Sequence, residues 1–200
     1  MSDSLDALWL ATLQDVVSRA AHEVRDALNG VSLNLEVLRS RLDRPTVDTR
    51  TLASFATAAS DQFELLSARA EALVFLVRPH RAAAGPADVA LTLRHLATLL
   101  VPAAKADGGR LEVNGADRSA QSGAPATAIR LALAAGLLSL TKDGGASHCR
   151  LDSGSETVVR FSHESAGACS LEPAVASALT AHQIRLTTVG AELHIVFPGS

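Results

Sequence analysis

The sequence predicts an α+β fold in which a long antiparallel helical hairpin is followed by a small α/β sandwich. Three observations carry that prediction. Apolar residues recur mostly in alternating steps of four and three from Leu13 to Leu38, and the same period resumes from Leu52 to Val77. Between the two runs stands DRPT, Asp43 to Thr46, whose proline ends a helix. Beyond the linker RPHRAAAGPADV, Arg78 to Val89, β-patterned segments alternate with apolar helical ones. The expected division is residues 1–83 for the hairpin and 84–200 for the α/β part.

The first helix reads from Leu5 to Leu42, with a heptad seam of Leu13, Val17, Ala20, Val24, Ala27, Val31 and Leu38. A second apolar column, Ala21, Leu28, Leu35 and Leu42, runs beside it. In the second helix the period falls on Leu52, Phe55, Ala59, Gln62/Phe63, Leu66, Ala70, Leu73 and Val77. Each helix carries more apolar surface than one partner covers, so a homodimer forming a four-helix bundle is expected. Downstream, Ala87 to Ala104 reads as a helix ending near Pro102, and GGRLEVNG as a short strand. GAPATAIRLALAAGLLSLTKDGG is an apolar helix with a glycine stop, and SHCRLDSGSETVVRFSHES is two strands around a Ser-Gly turn. Pro173 to Ala181 is a short helix, and IRLTTVGAELHIVF closes the chain as a hairpin around Val189-Gly190. That order implies mixed pairing in one sheet.

Composition narrows the function. The 200 residues are 48% hydrophobic and 20% charged, a globular balance, and the 3% aromatic content with abundant Ala and Leu favours packed helices. A net charge of −3 with scattered Lys and Arg gives no basic patch, so no nucleic-acid partner is expected. Cys149 and Cys169 form no CxxC motif and read as buried thiols of a reducing compartment. His80, His95, His148, His163, His182 and His194 lack metal-ligand spacing and read as surface or structural, so no metal site is expected. Asp88, Asp107 and Asp143 read as caps and turn residues. The acidic N-terminus is unlike a secretory signal. The apolar stretch Leu131 to Leu140 is half of the roughly 20 residues that a membrane span needs. A cytoplasmic protein without a membrane partner is the expectation.

The residue that asks for chemistry is His22. With Val17 and Val24 at heptad position a and Ala20 at d, His22 falls at f, pointing to solvent. An exposed imidazole that does nothing fits this spacing as well as a functional one. An HExxH zinc site is excluded because Asp26 stands at the second histidine position. An exposed imidazole beside a carboxylate is suited to accepting and donating a phosphoryl group, with Glu23 holding a proton or orienting the ring. Arg25 and Asp26, three and four residues on, share the His22 face.

AHEVRDALNGVSLNLEVL resembles the H-box of bacterial two-component sensor histidine kinases, whose pattern is His-Glu-x-Arg-Asn/Thr-Pro-Leu-x-x-Ile. His22, Glu23, Arg25, Leu28 and Val31 fit it. The hairpin then resembles the dimerisation and histidine-phosphotransfer domain of that family. ADVALTLRHLATLLVPAAKADGGRLEV resembles the opening helix and strand of its ATP-binding domain. GAPATAIRLALAAGLLSLTKDGG resembles the N-box helix, and VVRFSHESAGA stands where the first glycine box falls.

The departures matter as much. Aligning on Leu137-Leu138 puts Gly136 and Leu140 where the family carries its Mg²⁺- and phosphate-binding asparagines. The glycine box Asp-x-Gly-x-Gly reads Glu164-Ser165-Ala166-Gly167-Ala168, and no second glycine box or lid precedes the last helix. The resemblance therefore implies a degenerate nucleotide domain with no ATP and no cofactor of its own. Asp26 replaces the Asn/Thr that positions water for dephosphorylating a partner, and Ala27 replaces the proline, so no kink is expected. A kinase-like body that keeps the phosphoacceptor and loses ATP is similar to ChpT-type histidine phosphotransferases.

Phosphotransfer through His22 is the function this resemblance implies. The partners would be response-regulator receiver domains, which bring their own Mg²⁺. Their docking face is expected to follow His22 along the helix, through Arg25, Asn29, Ser32, Leu33 and Glu36. Leu33 lies off the apolar stripe, at heptad c; it reads equally as a docking leucine or a stray surface one. Two other functions stay open. One is a non-catalytic module that binds a response regulator or kinase. The other is a divergent autokinase in which Glu164 and Ser139 replace the missing ligands.

Overall fold

Helix α1 spans Ser2–Leu42 and α2 spans Thr49–Val77, running antiparallel. The computed structural model describes residues 2–43, 48–78, 86–141, 145–164 and 169–199. Arg44 to Thr46 of the DRPT break, residues 79–85 of the linker with His80, Asp143, and residues 165–168 of the degenerate glycine box lie outside the described residues. Asp48 starts α2 as an N-cap. Its carboxylate accepts from the Arg50 N–H at 3.1 Å and from the Thr51 hydroxyl, which answers two donors at the helix N-terminus.

The second part begins with β1 (Ala87–Asp88), which runs directly into α3 (Val89–Ala106). Asp88 caps α3 by accepting from the Leu91 N–H at 3.0 Å, as expected. Its other oxygen takes the Ser119 hydroxyl at 2.9 Å. The helix ends two residues beyond the expected Ala104 and carries Pro102 inside its last turns. It continues past the proline because Ala103 and Ala104 bury against the core, outweighing the missing proline N–H. Then follow β2 (Arg110–Asn114), β3 (Gln121–Ser122) and α4 (Ala126–Leu140). The chain continues with β4 (Ala146–Ser153), β5 (Thr157–His163), α5 (Pro173–Thr180), β6 (Arg185–Val189) and β7 (Glu192–Phe197). The two-residue ribbon of β1 and β3 is too short for a sequence period to reveal.

The main sheet has the order β2-β4-β5-β7-β6, with β2 and β4 parallel and the other pairs antiparallel, the mixed pairing expected. One face presents Cys149, Leu151, Val159, Phe161, Leu193, Ile195 and Phe197 to the helices. The other face carries polar residues in ion pairs, such as Arg150 and Arg160 on Asp152. Alternation along the strands explains both faces. Helix α4 is buried nearly all round, which is why it reads as uniformly apolar. Gly136 on α4 is needed there. A Cβ at that position would come within 2.6 Å of the Phe161 ring.

One buried cluster runs through both parts. Leu5, Trp9, Leu13, Val16 and Ala20 of α1 and Ala72 and Leu76 of α2 join the core of the α/β part. Arg130 of α4 ties the junction. Its guanidinium donates to the carbonyls of Phe75 (3.0 Å), Leu76 (3.2 Å) and Arg78 (2.9 Å) at the C-terminal end of α2 and lies over the Phe75 ring. A cation placed there answers the acceptors and the negative dipole of that helix end. By length and composition α3 could cross a membrane, but half of it is buried inside this fold.

Candidate functional site

On α1 the predicted seam holds at Leu13, Ala20 and Ala27, which are buried, and at Val24, Val31 and Leu38, which are half-buried; it fails at Val17. Val16, not Val17, is buried, and Val17, Leu28, Leu35 and Leu42 are exposed. On α2 the fully buried positions after Leu66 are Arg69, Ala72 and Leu76; the expected Leu73 is half-buried against the core, while Ala70 and Val77 are exposed. Glu23 meets Arg69, and Gly30 lies against Gln62, which sets the antiparallel register. Gly30 permits the close approach, since a Cβ there would sit 3.3 Å from the Gln62 side chain.

His22 is exposed, as its heptad position predicted. Its Nε2 lies 3.5 Å from the Asp26 carboxylate one turn on, and the two side chains are 68% and 55% exposed. Glu23, expected to orient the imidazole, does something else. Its backbone carbonyl accepts from Arg69 Nη1 at 2.6 Å, and its carboxylate accepts from Nη2 at 3.3 Å. The carboxylate beside the imidazole is therefore that of Asp26. The physical reason is that neighbouring helix positions point about 100° apart, so a Glu23 facing α2 cannot share the direction of His22. Arg25 is exposed.

Asn29, Ser32, Leu33 and Glu36 are all exposed along the same helix. The Ser32 hydroxyl donates back to the Leu28 carbonyl at 3.0 Å. The Asp26 carboxylate stands beside Nε2, so a phosphoryl donor reaches that nitrogen only with this contact open. The exposure of both side chains leaves that motion free.

The degenerate nucleotide positions do not come together. Gly136 and Leu140 are closed into the core, while Glu164 sits on the surface with its carboxylate 3.3 Å from His148 Nε2. The α4 residues that line the shallow cleft beside α5 are Ala135, Leu138 and Ser139. Leu8, Thr12 and Asp15 of α1 form its other wall, and its volume is about 140 Å³. The Ser139 hydroxyl donates within its own helix, to the Gly136 carbonyl at 2.7 Å. Among the described residues no group of three His, Cys, Asp or Glu side chains is placed to hold a metal. Burial pushes both thiols up in pKa, Cys149 far beyond the usual range, which removes them from chemistry at neutral pH.

The residue that sequence reasoning missed is Arg69. The signal was present: an arginine three residues after Leu66 and three before Ala72 sits at core spacing. A periodicity of apolar residues passes over a cation, and only its partner Glu23 explains its burial.

No protein-family model matches the chain, and no curated protein matches it. Among solved structures the chain is similar to the histidine kinase domain of the blue-light activated histidine kinase of Erythrobacter litoralis EL346. Identity is 15% over 84% of this chain and 94% of that one, with a TM-score of 0.43. It is also similar to the Acinetobacter baumannii histidine kinase AdeS, at 12% identity over 88% of this chain and 97% of that one, TM-score 0.36.

Proposed function

We propose that this protein is a histidine phosphotransferase of a two-component phosphorelay, acting through His22 in the cytoplasm. The observation that carries the reading is a solvent-facing imidazole on a helix turn locked to its neighbour helix. In the reaction, the lone pair of Nε2 attacks the phosphorus of a receiver's phospho-aspartate. The N–P bond forms as the P–O bond to the aspartate breaks, and a second receiver later reverses the step onto its own aspartate. The receivers supply Mg²⁺ and a lysine, so this chain supplies position and a docking face. Asn29, Ser32, Leu33 and Glu36 make up that face, with Leu33 as its apolar anchor. No ATP enters the scheme.

The working unit is proposed to be a homodimer. Ala21, Leu28 and Leu35 on α1, and Ala56, Phe63 and Ala70 on α2, recur every seven residues and are exposed. Each column lies about a quarter turn from the α1–α2 contact in the direction of chain travel, so in antiparallel helices both fall on one side of the hairpin. The alternative reading, a module that binds a regulator without transferring phosphate, draws on the Asp26 carboxylate standing against Nε2.

One experiment separates these readings. The purified protein is mixed with radiolabelled phospho-receivers, with labelled ATP alone in a parallel lane and His22→Ala as control. Acid-labile label passing to the wild type and not to the variant is the expected result. Binding without label leaves the contact-only reading, and label from ATP alone makes the protein a kinase.

A further inference from the structure

We infer that Arg69 is a positioning residue for His22, its guanidinium fork holding the α1 turn from which the imidazole projects. The inference rests on the phosphoacceptor reading above. Arg69 comes from α2 and is only 8% exposed, yet its charge is not left unanswered. One nitrogen reaches the Glu23 backbone carbonyl at 2.6 Å and the other reaches the Glu23 carboxylate at 3.3 Å. A buried guanidinium is costly unless its donors are met, and its planar fork suits a pair of acceptors held at fixed spacing.

The backbone bond is the informative half. A side chain that bonds only to another side chain fixes a rotamer. A side chain that bonds to a helix carbonyl fixes the helix. With Glu23 drawn toward α2, the next position back points about 100° away, out to solvent. Roll of α1 would carry His22 around the helix, and the packing denies that roll. Ala20 and Ala27 are buried on the contact side, and Gly30 lies directly against Gln62. The fork also keeps the Glu23 carboxylate occupied, which leaves Asp26 as the carboxylate facing the imidazole.

The test uses phosphoramidate, a small phosphoryl donor that needs no docking face. Nε2 attacks its phosphorus, the P–N bond breaks, and ammonia leaves with the proton. The rate of His22 labelling is measured in the full chain for the wild type, Arg69→Leu, Arg69→Lys and His22→Ala, alongside the folded fraction of each. Arg69→Leu is expected to label about tenfold more slowly while folded, and Arg69→Lys, which can still donate to the carbonyl, to recover most of the rate. A purely structural role would change the folded fraction without this pattern of rescue. Labelling of folded Arg69→Leu within about twofold of the wild type would overturn the inference, as would no recovery in Arg69→Lys. Wild type labelling no faster than His22→Ala is a different result, which removes the phosphoacceptor reading and this inference with it.

Discussion

Leu33 and Leu35 stand two residues apart on α1, are 63% and 54% exposed, and are assigned to different surfaces. Two helix positions are about 200° of rotation, so one side chain points to the receiver face and the other to the dimer face. Leu35→Glu tests the second. Covering the exposed half of a leucine is worth about 1 kcal/mol. A two-fold dimer loses that twice, so the dissociation constant should rise by at least about thirtyfold, with the desolvation of two carboxylates added to it. Sedimentation equilibrium across a range of concentrations reads the constant directly. Leu33→Glu should leave that constant unchanged while slowing label transfer from a phospho-receiver. The reasoning is refuted by a wild type that stays monomeric at high micromolar concentration. It is refuted equally by a Leu33→Glu variant that weakens the dimer as much as Leu35→Glu does.

Two predictions concern stability. Arg130→Met keeps the bulk but leaves the carbonyls of Phe75, Leu76 and Arg78 without their donor, which should cost about 3 kcal/mol and lower Tm by roughly 6–12 °C; a loss under about 2 °C would mean that α2 does not depend on this cap. At Asp88, burial alone would raise the carboxyl pKa, but hydrogen bonds from the Leu91 N–H, the Ser119 hydroxyl and the Ala120 N–H hold it below the usual carboxylate value. A depressed folded pKa gives stability that is full above the unfolded value of about 3.9 and lost as pH falls through the folded one. Asp88→Ala should therefore cost about 1 kcal/mol at neutral pH, a deficit that shrinks below about pH 4 in urea titrations; a deficit independent of pH would contradict the account.

Much of the architecture was legible because its signals are local. The hairpin, the strand pairs about Ser-Gly and Val189-Gly190, and the Asp88 cap each depend on residues close in sequence. The solvent-facing direction of His22 was legible for the same reason, since a heptad assigns faces before any partner is known. Pro102 stands inside α3 because burial of the two alanines after it overrules a local breaker. Gly136 and Leu140 could be aligned to a motif, yet alignment does not say which face of α4 meets the sheet.

What the sequence determined by itself was therefore the set of elements and the presence of one histidine on a solvent-facing helix turn. The tertiary structure decided which carboxylate serves that histidine. Glu23 is adjacent in the chain, and Asp26 is adjacent in space. Arg69 makes the difference from 46 residues away. A buried cation must be answered wherever it lies, and the groups that answer it are chosen by the packing of two helices, which no local pattern records.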